Sequence, residues 1–181
     1  AAGRVAGVAR HWVTDTSPSP VGKAMPRQIL APWLAKRAVV ALRVASDSRR
    51  MALITRNLTG GDVQVVIAGI ARSANGVAVS LAPEALRVGW TLTGASDMAW
   101  VDDSTLAIVG RVSPNHAVGP QLVEIGGKVT ELSPVAGSRL VTNTGGLRGI
   151  VVITDQGKVM ARAGNSWQQL QTGTDFLIPG E

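Results

Sequence analysis

Cysteine is absent from this 181-residue chain. That excludes disulfides, thiol catalysis, iron–sulfur clusters and thiolate zinc sites together, and it leaves the redox compartment open, since nothing here can oxidise to a disulfide. Tyrosine is also absent and phenylalanine occurs once, so aromatics reach only 3%, carried almost wholly by five tryptophans. Platforms for stacking single-stranded bases are therefore scarce. Charged residues make up 17%, below the usual ~25%. No apolar run approaches the roughly 20 residues that span a bilayer. No charged-then-apolar leader is present either, and the chain is expected to start at Ala1 as a processed product or a cloned piece. Heptad and collagen periods are missing.

What is present is a foldable, mildly basic chain of a length that fits one domain or part of a larger one. Hydrophobic residues reach 45%, enough to bury a core and to argue against intrinsic disorder. Lys plus Arg is 18 against 12 for Asp plus Glu, a net charge of +6. Arginine dominates the cations, which reads partly as a GC-rich coding bias and weakens arguments from charge. Glycine, 21 residues, is abundant but stands singly or in pairs between short apolar runs, as turn punctuation does.

The apolar runs are short and rich in Val and Ile: 38–44, 51–54, 63–70, 77–81, 105–109, 121–125 and 149–153. Between them lie turn signals such as Ser46-Asp47-Ser48, Thr59-Gly60-Gly61-Asp62, Asp102-Asp103-Ser104 and Asp155-Gln156-Gly157. Strand after strand at even spacing predicts an antiparallel all-β fold, with Pro32 to Arg37 the one helical stretch of note. Residues 44–53 lie on 99–108 without a gap, a shift of 55 positions, each reading strand, Asp turn, polar pair, strand; 150–159 follows the same plan. A repeat of that length with several strands per unit predicts a β-propeller, against the competing reading of an ordinary β-sandwich. The expectation is one propeller unit over 1–181, with repeats near 39–90, 91–140 and 141–181 and with 1–38 in a preceding blade. Three to four blades fall at the bottom of the usual range, so a piece of a larger propeller is expected.

Chemistry-bearing groups are few. Asp102-Asp103 is the only adjacent carboxylate pair, of the kind glycosidases use, yet it sits at the repeated hairpin turn where Asp47 holds the equivalent place. His11 and His116 have no partner at ligand spacing. No G-x-S-x-G is present, and Ser80 and Ser133 carry no triad signal. Gly60-Gly61, Gly126-Gly127 and Gly145-Gly146 lack the helix and Lys of a phosphate loop. No catalytic, metal or cofactor-binding residue is therefore expected, and no cofactor. The densest basic clusters, Arg49-Arg50, Lys36-Arg37 and Arg10-His11-Trp12, are dispersed pairs, which disfavours nucleic acid. Trp100 and Trp167 read as blade-filling residues, and Trp12 or Trp33 as candidates for a surface role.

Ala31-Pro32-Trp33-Leu34 with 40–47 and 50–53, then 99–107, 164–170 and Pro179-Gly180, resemble the β-propeller of the actinobacterial LpqB lipoprotein family over about residues 27 to 180. The resemblance implies a non-enzymatic extracytoplasmic module, tethered to the outer face of the plasma membrane through a lipidated N-terminal Cys that lies outside this chain. It implies as partner the extracellular domain of the MtrB sensor histidine kinase, whose two-component signalling the family is proposed to modulate. The alternative is a propeller that binds or hydrolyses cell-wall carbohydrate, with Trp100 beside Asp102 and Asp103. A partial propeller is further expected to self-associate through exposed sheet edges and faces.

Overall fold

The computed structural model describes the backbone over residues 2–5, 8–13, 27–29, 31–74 and 78–172, and side chains over 31–74 and 80–170. Every strand pairing among these residues is antiparallel, and the strands fall into four sheets. The first holds β1 (Ala2–Val5), β2 (Val8–Val13) and β3 (Arg27–Ile29). The second holds β4 (Arg37–Val44), β5 (Arg50–Asn57) and β6 (Val63–Arg72), with an outer position divided between β7 (Ala78–Leu81) and β8 (Leu86–Val88). Both outer pieces pair with β6, β7 at Ile70–Arg72 and β8 at Val65–Ile67. Pro83 stands between them and has no N–H to give a ladder, so a break is expected there.

The third sheet is the meander β9 (Gly94–Trp100), β10 (Thr105–Arg111), β11 (Gly119–Glu124) and β12 (Val129–Glu131). The fourth is β13 (Ser138–Asn143), β14 (Ile150–Thr154), β15 (Lys158–Ala163) and β16 (Ser166–Thr172). Successive side chains of a strand point to opposite faces. In β5 and β10 both faces are buried, which is why their sequences are near-continuous Ala, Leu, Ile and Val. Ala52, Ile54, Val65 and Ile67 of the second sheet pack on Met98, Leu106, Ile108 and Val123 of the third. Ala107 and Val109 then pack on Val141, Ile150 and Val152 of the fourth. Met51, Leu53, Val66, Ala68 and Leu81 form a third core on the opposite face of the second sheet. Four-stranded sheets stacked face on face in chain order are the blades of a β-propeller.

The links between blades share one device. Leu34, Leu92 and Val135 each lie two or three residues before a first strand, and each is buried in a different core. A tight turn holds two of them, Leu34 N–H donating to Ala31 at 2.8 Å and Leu92 N–H to Gly89 at 2.9 Å. Around Leu34 the expected helix is only a single 3-10 turn, Pro32–Leu34. Arg37 is already in β4, drawn there by bonds from its guanidinium to the Thr55 hydroxyl at 2.8 Å and the Asp62 carbonyl at 2.8 Å.

The hairpin repeat holds for two of the three units. The turns at 45–49 and 101–104 both join the first and second strands of a blade, whereas the Asp155-Gln156-Gly157 turn joins β14 to β15, one hairpin later. The true counterpart in the fourth sheet is the 144–149 turn, which opens on Asn143 and contains no Asp. Asp-Gln-Gly is a turn signal of any hairpin, so spacing alone misplaced it.

Candidate interaction surface

The three first-hairpin turns stand side by side and bond to one another. Within the 45–49 turn, Asp47 accepts from the Arg49 N–H at 2.8 Å and from Arg50 Nε at 2.9 Å. Its carboxyl lies below the ordinary carboxylate value because the Arg49 N–H bonds it; desolvation opposes this, and the bonds and charge of Arg50 add to the lowering. In the 101–104 turn Asp102 accepts from the Ser104 N–H at 2.8 Å and the Ser104 hydroxyl at 2.9 Å. Partial burial works to raise the Asp102 carboxyl, but the bonds from Ser104 and Thr105 together outweigh it and leave it lowered. Both aspartates thus serve as Asx-turn acceptors, as their place in the sequence implies.

Bonds between blades tie the turns together. Arg50 Nη1 donates to the Asp103 carbonyl at 2.7 Å, its Nη2 lies 3.9 Å from the Asp103 carboxylate, and its guanidinium sits 5.6 Å from the centre of the Trp100 ring. From the fourth sheet, Asn143 Nδ2 donates to the carbonyls of Trp100 at 3.0 Å and Val101 at 3.1 Å. Its Oδ1 accepts from Gly145 N–H at 3.3 Å. Gly149 closes this turn where a Cβ would stand 2.5 Å from the Gly145 nitrogen, so no other residue fits. Exposed Arg49 and Arg148 stand on this rim and make no ion pair among the described residues.

Beneath the rim, Asp97 of β9 is 5% exposed and joins three blades. It accepts from Arg43 Nη2 of β4 at 2.9 Å and from the Val141 N–H of β13 at 2.9 Å. Val141 lies on the edge strand of its sheet, so its outward N–H has no ladder partner and takes one from the neighbouring blade.

The two carboxylates of the Asp102-Asp103 pair are put to different uses. Asp102 is spent on its own turn, while the Asp103 side chain is 80% exposed and reaches toward Ser46 and Arg50. Trp100 is part of the packing between the second and third sheets, its indole N–H donating to the Arg43 carbonyl at 3.2 Å. Trp33 is fixed likewise by the Ala82 carbonyl at 3.2 Å, and Trp167 packs at the edge of the third-to-fourth core. The side chains of His11, Arg10 and Trp12 lie outside the described residues; His116 is exposed in the loop after β10. No group of three metal-ligating side chains occurs among the described residues. The glycine pairs at 60–61, 126–127 and 145–146 are hairpin turns with positive φ at one or both residues.

Sequence reasoning missed the most exposed aromatic among the described residues. Trp90 is 63% exposed in the link after β8, with the Arg87 guanidinium 4.5 Å from its ring. It missed Asp97 as well, because a lone acid inside a strand carries no motif.

A protein-family model described as the lipoprotein LpqB beta-propeller domain matches residues 5–179. No curated protein matches the chain. No helix among the described residues is long and apolar enough to cross a membrane.

Proposed function

Since the chain belongs to the lipoprotein LpqB beta-propeller family, we propose that it is a non-catalytic docking module of an envelope lipoprotein. Its partner in this reading is the extracellular domain of an MtrB-type sensor histidine kinase. The lipoprotein holds it at the outer face of the plasma membrane through a lipidated cysteine, outside this cysteine-free sequence.

The observation that supports a docking role is the bonded rim of first-hairpin turns. Loops clustered at one end of a rigid scaffold are where propellers gather binding surface. Here the Asp47 and Asp102 carboxylates are consumed in holding their turns and the Asp103 carbonyl in joining two blades, while Arg49 and Arg148 are exposed. A rigid rim loses little conformational entropy on association, and its outward cations steer an acidic partner. Binding that favours one conformation of the sensor would bias its kinase output by the difference in affinity for the two states.

Calorimetric titration of the chain into the purified sensor domain, at low and at physiological salt, tests this. Saturable binding that survives physiological salt and weakens in Arg49→Glu/Arg148→Glu is expected. Absence of binding at both salts removes the reading, and unchanged binding in the double variant moves the surface away from this rim.

A further inference from the structure

Away from the rim, β12, the link that follows it and the β15–β16 hairpin line a hollow of about 320 Å³ that is open to solvent, bordered by Thr130, Glu131, Ser133, Arg162, Asn165 and Trp167. It lies at a link of the repeat. In the link between the second and third blades Trp90 stands two residues before the buried anchor Leu92, and lies against the β11–β12 turn at Gly127. In the next link the residue two before the anchor Val135 is Ser133, and the β15–β16 turn at Asn165 faces it. Where the earlier link carries an indole, this one carries the small serine side chain beside the hollow.

The wall is fixed from behind by backbone carbonyls. Trp167 Nε1 donates to the Ser133 carbonyl at 2.8 Å, and the Ser133 hydroxyl donates to the Asn165 carbonyl. Arg162 Nε donates to Gly164 at 3.0 Å and Nη1 to Leu147 at 3.3 Å. Among the residues that line the hollow, the Thr130 hydroxyl, the Glu131 carboxylate, the Asn165 amide and Arg162 Nη2 have no partner among the described residues, and Thr130 and Glu131, neighbours on β12, present their side chains to opposite faces. Glu131 and Arg162 are not ion-paired with each other or with anything else described.

We propose that this cavity binds a single pyranose ring of a saccharide. The set is neutral overall, mixes donors with acceptors, and places them beside an indole. Each sugar hydroxyl both donates and accepts, so one ring satisfies Glu131 as acceptor and Arg162 and Asn165 as donors while its C–H face lies on Trp167. A simple anion or cation pairs one of the two charges and leaves the like charge facing it. An amino-acid zwitterion pairs both but leaves the indole and the neutral groups unused. The volume sits at the lower end of the roughly 300–1,000 Å³ of small-molecule sites, which suits one ring rather than an oligosaccharide.

This inference stands apart from the kinase reading, and its test involves no kinase. Saturation-transfer NMR on the full chain uses glucose, galactose, mannose and N-acetylglucosamine, each at about 20 mM to reach millimolar affinities, with glycine as the zwitterion. Transfer to the ring C–H protons of at least one sugar is expected, with affinity falling about tenfold, near 1.4 kcal/mol, in Glu131→Gln/Asn165→Ala. Ser133→Trp, which sets a bulky indole at the edge of the hollow, should abolish transfer while circular dichroism stays unchanged. A methyl glycoside bound as well as the free sugar supports the site and marks a glycan chain as the source; binding of the free sugar alone supports it and marks a diffusible sugar. No transfer from any of the four sugars overturns the proposal. So does glycine binding in their place, or sugar binding that survives both variants in folded protein.

Discussion

Removing the Asp97 carboxylate should cost more than any other single polar change in the described residues. The residue is 5% exposed, and its carboxylate holds two donors from two other blades, Arg43 Nη2 and the Val141 N–H, each at 2.9 Å. Breaking a buried pair by removing one partner costs about 3–5 kcal/mol, and an orphaned backbone N–H costs about 1–3 kcal/mol. The Arg43 side chain is 27% exposed, so water recovers part of its solvation, although its Nε is already buried without a partner. Asp97→Ala is therefore expected near 3 kcal/mol. At roughly 2–4 °C per kcal/mol for a chain of this length, its midpoint should fall by about 6–12 °C. Asp97→Asn keeps an amide oxygen for Val141 but sets an NH2 donor against Arg43 Nη2, losing both the charge and that acceptor, so about 1.5–3 kcal/mol is expected.

The assay is thermal and urea unfolding at neutral pH, run as a double-mutant cycle with Arg43→Met. Each single variant strands a charge that the double variant does not, so the double should be less destabilised than the sum by about 1–3 kcal/mol. Strict additivity, or an Asp97→Ala loss below about 1 kcal/mol, would refute the view that this carboxylate fastens three blades.

Three further outcomes follow from the same geometry. Asp47 and Asp102 have lowered carboxyl values in the folded chain, so their stabilisation is present above the unfolded carboxyl pKa and is lost as pH falls through the folded one. The gap in urea midpoint between the wild type and Asp47→Asn/Asp102→Asn should hold steady above about pH 5 and close in acid; a gap that widens in acid contradicts the assignment. Gly110→Ala places a Cβ 2.6 Å from the Gly94 carbonyl oxygen at the β9–β10 bulge, and about 1–3 kcal/mol of destabilisation is expected in urea titration. Val40, Leu42 and Val44 form an apolar row on β4, 39–43% exposed, and a second copy is expected to cover it. Light scattering at about 100 µM should show a mass above the monomer that Leu42→Asp returns to it; a monomeric wild type contradicts this.

The middle strands were legible because burial on both faces forces an unbroken Val, Ile, Leu and Ala run, as in β5 and β10. The Asp47 and Asp102 turns were legible because an Asx turn needs only local residues. Outer strands were not. β8 and β12 are three residues each and half exposed, too short to show a period. Their shortness hid the link anchors too, since Leu34, Leu92 and Val135 read as stray apolar residues until three cores show them in equivalent places. The walls of the cavity come from two stretches, 130–133 and 162–167, about thirty positions apart. No spacing rule joins them, because the joining is done by blade packing.

The blade-to-blade link is where this chain varies a fixed plan. Every described link must bury one apolar anchor, since without it the junction between neighbouring sheets would be open to water at a cost of about 1.5–3 kcal/mol for a side chain of that size. The residue two before the last two anchors is under no such demand, and there the chain places Trp90 in one link and Ser133 in the next. Trp90 turns its junction outward as an exposed aromatic under Arg87, whereas Ser133 borders the polar hollow at the next. The first hairpins are constrained in the opposite sense, because Arg50 is committed to Asp47 and the Asp103 carbonyl, and Asn143 to the Trp100 and Val101 carbonyls. A surface built this way has a stiff rim and variable side junctions, and the two can change independently without disturbing the Asp97 fastening that lies between them.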